Sequence, residues 1–73
     1  AYRFTGTVSQ LQDDGFLLTT EEAGDVWVRA LSEQLETVED GQEVTVYFDG
    51  VMTMSLPGQI NAAWIGTPVD AEA

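Results

Sequence analysis

A chain of 73 residues with thirteen acidic side chains, two arginines and no lysine, histidine or cysteine carries a formal net charge of −11, and that inventory excludes whole reaction classes. Without imidazole, thiol or amine there is no Ser-His-Asp, Cys-His, Ser-Lys or Schiff-base chemistry, no disulfide, and no thiolate or imidazole metal site. Two arginines displace few counterions from a polyanion, so nucleic acid is excluded as a partner, and an anionic membrane surface repels the chain.

What remains is one small domain, expected over residues 1–65, with 66–73 as a C-terminal tail. A chain of this size buries only about 60% of its unfolded surface, and its 44% hydrophobic composition must supply a core by packing alone. Two carboxylates could form an acid–base pair, but so small a scaffold has little depth in which to raise one carboxyl pKa. The expectation is no enzyme, no cofactor and no metal. No apolar run approaches the roughly 18 residues of a membrane span, so direct membrane insertion is not expected. No signal-peptide pattern stands at Ala1. The chain opens directly into strand-like sequence, as a piece of a longer protein or a mature product would.

Strand alternation dominates from the first residues. In AYRFTGTVSQL, Tyr2, Phe4, Gly6 and Val8 share one face and Arg3, Thr5, Thr7 and Ser9 the other. Gly6, in mid-strand on the apolar side, predicts a sharp bend or another backbone packed close. Asp13-Asp14-Gly15 reads as a hairpin turn, with Asp14-Gly15 supplying positive φ. FLLTT follows as a second strand with Phe16 and Leu18 on one face. After the acidic turn Glu21 to Asp25, VWVRA is the third, with Val26, Val28 and Ala30 inward and Trp27 and Arg29 outward.

The period then changes. Leu31, Leu35 and Val38 are spaced for one side of a short helix, with Ser32 placed to cap it and Glu33 and Glu36 toward its start. Gly41 ends the segment. EVTVYF is a fourth strand, with Val44, Val46 and Phe48 inward and Thr45 and Tyr47 outward. QINAAWI is a fifth, with Ile60, Ala62 and Trp64 opposed to Ala63 and Ile65. The order β-β-β-α-β-β predicts an all-β fold with one short helix, a small five-stranded OB-like barrel. An SH3-like barrel is the alternative, but usually lacks a helix at that place.

Between the last two strands lies VMTMSLPG. Asp49-Gly50 is a hairpin signal that would fold residues 51–56 back along the fourth strand. Met52, Met54 and Leu56 alternate with Thr53 and Ser55, giving one apolar side. That side either covers an open end of the barrel or forms an exposed lip that docks a peptide or another subunit. Ser55 has no base to make it a nucleophile. Pro57 fixes extended geometry, and Gly58 turns the chain into the next strand.

Short patterns along most of residues 4–65 resemble the YobA-like family, small domains of secreted and lipid-anchored proteins from Gram-positive bacteria. They are Gly6-Thr7-Val8, Asp14 to Leu17, Val26 to Val28, DGQEVTVYFDG and SLPGQINA. The family pattern of strand four falls on Val44 to Gly50, and its S-x-P-x-Q-x-x-A on Ser55, Pro57, Gln59 and Ala62. The resemblance implies an OB-like fold and an extracytoplasmic, secreted or surface-anchored location. It implies no activity. Ser55 and Gln59 are expected to hydrogen-bond loop backbone while Pro57 fixes the start of the fifth strand.

The functional expectation is a non-catalytic binding module for a protein, peptide or cell-wall component, monomeric or weakly dimeric. Its candidate binding residues are Trp27, Arg29 and Tyr47, joined by Thr45 if strands three and four lie together, with Met52, Met54, Ser55 and Gln59 in and after the loop. Aromatic rings beside an arginine are common contact chemistry. The alternatives are a calcium-responsive domain built on the acidic turns, or an accessory domain of a larger protein with no ligand.

Overall fold

The computed structural model describes residues 2–55 and 57–66. Its strands are β1 (Tyr2–Gln12), β2 (Gly15–Thr20), β3 (Gly24–Arg29), β4 (Glu43–Phe48), β5 (Gly58–Asn61) and β6 (Trp64–Gly66), with helix α1 (Ser32–Leu35) between β3 and β4. They form one mixed sheet in the order β5-β3-β2-β1-β4-β6. The domain is therefore a small, mostly β fold with one short helix. Among the described residues no helix is long and apolar enough to cross a membrane.

β1 is the organising strand because it serves two partners. Its first half pairs with β4 from Tyr2↔Phe48 to Thr7↔Glu43, and its second half pairs with β2 from Gly6↔Thr20 onward. The handover falls at Gly6, as the mid-strand glycine predicts. A Cβ there would run into the carbonyl of Thr19, so the close backbone approach excludes any side chain. Farther along, the β1–β2 register shifts between Ser9 and Gln12, and Gln10 takes a φ of 53°. This is a bulge, which bends a strand and re-aims a side chain.

Alternation fixes the core. Val8, Phe16, Leu18, Val26, Val28, Val44, Val46 and Ile60 are buried from the sheet, and Leu35 and Val38 from the helical segment. Each large apolar side chain so buried contributes about 1.5–3 kcal/mol. The buried hydroxyls are satisfied. Thr45 bonds to Thr5 at 2.8 Å, and Thr20 donates to the Gly24 carbonyl while accepting from the Ala23 amide.

Several local expectations need correction. The first hairpin has Asp13-Asp14 as its two-residue loop, because Gln12 pairs with Gly15. Gly15 is in the strand, buried, with the Val28 carbonyl where its side chain would be. Leu31 is 67% exposed rather than facing the core. It is the extended N-cap of α1, whose start is closed by the Leu31 amide donating to Gln34 Oε1 at 2.8 Å, not by Ser32.

The expected fifth strand is two strands. β5 runs parallel to β3 and β6 antiparallel to β4, at opposite edges of the sheet. Only Ala62 and Ala63 separate them. Their successive amides donate to Arg29 O and Tyr47 O, each at 2.8 Å, so the chain steps directly from one edge to the other. Parity changes at the step. Ile60 is buried, Ile65 packs on the core, and Trp64 is 65% exposed, against the expectation that Ile60 and Trp64 share a face. The Gln34 amide spans the step, donating to Ala62 O and Ala63 O at 3.3 Å.

Candidate functional site

The ladder places three residues in a row across the outer face. Leu17 on β2 pairs with Trp27 on β3, and Trp27 with Gln59 on β5. All three are half-buried, and they line a groove of about 710 Å³ together with Gln10, Ala23, Asp25 and Pro57. Its volume falls in the range of ordinary small-ligand sites. Leu17 and Trp27 give it an apolar floor. Gln10 and Gln59 add two carboxamides, and Asp25 is the ionisable group that lines it.

The rims are set by local irregularities. Gln10 stands in the β1 bulge, in a left-handed conformation that a side chain adopts only when its surroundings hold it there. On the other side, residues 51–55 form no strand, and the hairpin expected at Asp49-Gly50 is absent. The Asp49 carboxylate accepts from the Val51 amide at 2.9 Å, and Gly50 takes a φ of 93°, which turns the chain away from β4.

Hydroxyls then close the loop onto β5. The Thr53 amide donates to Gln59 O at 3.0 Å, and the Gln59 amide to Thr53 Oγ1 at 2.9 Å. Ser55 Oγ donates to Pro57 O at 2.9 Å, so Thr53 Oγ1 gives its proton to Ser55 Oγ, 2.6 Å away. Every donor in this chain has one acceptor. Ser55 therefore bonds loop backbone, as the sequence suggests, and Gln59 does so through its own main chain.

The remaining candidates fall in three places. Arg29 lies on the same face of β3 as Trp27 but opens into a second hollow of about 410 Å³ shared with Asp14, Gln34 and Asn61. Tyr47 belongs elsewhere. β3 is flanked by β2 and β5, and β4 by β1 and β6, so Thr45 and Tyr47 do not join Trp27 and Arg29 by strand pairing. Tyr47 pairs with Arg3 and Trp64 instead, while Thr45 is fully buried. Met52 is 41% exposed, with its side chain against Gly58, and Met54 is 100% exposed; Leu56 lies outside the described residues. Neither methionine belongs to the buried core.

Leu17 and Gln10 are groove residues that the sequence did not single out, and Asp25 entered only as part of an acidic turn considered for calcium. A signal for Leu17 existed, since it is the apolar residue on an outward face otherwise carrying Ser9, Thr7 and Thr19. Nothing in the sequence marks Gln10 for a positive φ. Among the described residues no three acidic side chains converge as a metal site would require. No family model, characterised protein or solved structure matches this chain.

Proposed function

We propose that this chain is a non-catalytic extracytoplasmic binding module that holds a protein, peptide or cell-wall ligand in the groove over β2, β3 and β5. The observation that carries the proposal is the Leu17–Trp27–Gln59 row, a half-exposed apolar floor edged by carboxamides. Indole and carboxamide side chains bind through stacking and hydrogen bonds and perform no proton transfer. A lone carboxylate without a basic or nucleophilic partner supports binding rather than turnover.

The finer fold reading supports the same face. In this proposal the domain is an OB-like barrel whose fifth strand is broken at Ala62–Ala63 into β5 and β6. Support comes from the two-residue step between the sheet's opposite edges and from the parallel β3–β5 pairing. The helix between β3 and β4 favours it over an SH3-like barrel. OB barrels take ligands on the face of their second and third strands, beside the loop before the fifth. On that reading the groove over β2 and β3 and Pro57 correspond to those positions. The resemblance to YobA-like domains supplies the extracytoplasmic location.

The test is amide NMR on labelled protein, titrated with cell-wall fragments and a mixed peptide pool. Shifts should cluster at Leu17, Trp27 and Gln59, and Trp27→Ala should abolish them while the dispersed spectrum of a folded domain persists. Shifts confined to Tyr47 and Trp64, or to Met52 and Met54, would refute the groove.

A further inference from the structure

We propose that the ligand of this groove is an extended peptide segment carrying lysine or arginine, held over the face of the sheet rather than added to its edge. The inference rests on the groove being the binding site and names what it takes.

Charge complementarity carries the argument. The chain bears thirteen carboxylates against two arginines, and such a field concentrates cations and raises their association rate. The groove focuses that field. Asp25 and Ala23 line it, and Glu21 and Glu22 stand exposed in the turn leading to Ala23. Neither Arg3 nor Arg29 lines it. An anionic ligand would meet the Asp25 carboxylate at the groove and the net negative field of the chain, while a neutral sugar would draw nothing from the field.

Geometry supplies the register. Asp25 and Trp27 are two residues apart on one face of β3, so about 7 Å separates them. A lysine or arginine whose stem lies across the indole brings its charged head to the Asp25 carboxylate. The stem is then packed on apolar surface and the head gains a cation–π and an ion-pair partner. Gln10 and Gln59 flank this axis with donors and acceptors suited to a peptide backbone.

Edge addition is blocked beside the groove at Gln59. β3 is paired on both sides, and the outer edge of β5 is taken at Gln59, whose amide and carbonyl both bond to Thr53. Recognition is therefore by side chains over the face, with an affinity that falls as salt rises.

The probes are a capped pentapeptide of alternating lysine and alanine, its glutamate counterpart, and a tetramer of N-acetylglucosamine, each titrated into labelled protein at low salt. The lysine peptide should shift Leu17, Trp27 and Gln59, and the glutamate peptide should shift nothing. Asp25→Asn should weaken the lysine peptide about fivefold, with Asp25→Glu restoring it. Glu36→Gln, the same charge change on α1's C-cap, should change it less than twofold. Equal losses in Asp25→Asn and Glu36→Gln would mean diffuse attraction and overturn the proposal. Groove shifts with the sugar but not the lysine peptide would overturn it while leaving the binding-module reading intact. Silence of the groove toward both would overturn the two together.

Discussion

Gly6→Ala isolates the requirement for a bare backbone where β1 passes from β4 to β2. The new methyl group would meet the Thr19 carbonyl, with Leu18 Cγ 3.2 Å away. Rotation of a side chain cannot relieve this, because the obstacle is main chain held by the Gly6↔Thr20 and Thr7↔Thr19 pairs. Overpacking of this kind costs about 1–3 kcal/mol, with more where backbone must move. Against it stands a gain of about 0.4–1 kcal/mol from the smaller entropy of the unfolded chain. The net expectation is a loss of about 2 kcal/mol, or a Tm lower by about 8–16 °C in a domain of this size. Gly24→Ala is the control, because Gly24 has φ 68° and nothing within 4 Å. It should cost only the left-handed strain, about 1 kcal/mol after the same entropic gain. Thermal melts by circular dichroism measure both. A Gly6→Ala protein as stable as wild type, or no less stable than Gly24→Ala, would refute the close approach.

Two other predictions concern hydroxyl pairs. Thr45→Val removes a fully buried hydroxyl bonded to Thr5 and should cost about 1 kcal/mol. Adding Thr5→Val should bring stability back to within about 0.5 kcal/mol of wild type, because no polar group is then left without its partner. Urea titrations of the four proteins give the coupling directly. Thr53→Val breaks the hydroxyl chain from Gln59 to Pro57 but touches no core residue. Hydrogen exchange at the Gln59 amide should accelerate at least tenfold while Tm falls by less than about 4 °C. Unchanged exchange at Gln59 would show that the loop is held by something else.

The parts of the fold that alternation controls are legible in the sequence. Phe16 with Leu18, Val26 with Val28 and Val44 with Val46 are buried as their spacing requires, although Thr45, expected outward, is buried between the last two, and Gly6 is the close approach its position suggests. The misplaced parts answer to non-local bonds. Ala62 and Ala63 are too small to favour either face, so the parity of INAAWI is decided by which strand each amide reaches, Arg29 or Tyr47. Residues 51–55 alternate like a strand, but the Asp49 side chain and the positive φ of Gly50 divert them before any ladder forms. Leu31 carries helical spacing and yet precedes the helix, in extended geometry at φ −77° and ψ 152°.

The same division runs through the groove. Trp27 is outward by simple alternation, so its candidacy is readable from VWVRA alone. Its neighbours are a matter of register: Leu17 arrives through the β2–β3 hairpin and Gln59 through a parallel pairing more than thirty residues away in sequence. Both rims depend on interruptions of the ladder, the Gln10 bulge on one side and the Thr53–Gln59 bracket on the other. Floor and rims are therefore held by different forces. The floor backs onto Phe16, Leu18, Val26 and Val28 and inherits their stability. The rims rest on a few exposed hydrogen bonds, each contributing about 1 kcal/mol net. A small acidic domain can thus vary the lining of its groove through Gln10 and Pro57, and the hold on its loop rim through Thr53 and Ser55, without disturbing the core beneath.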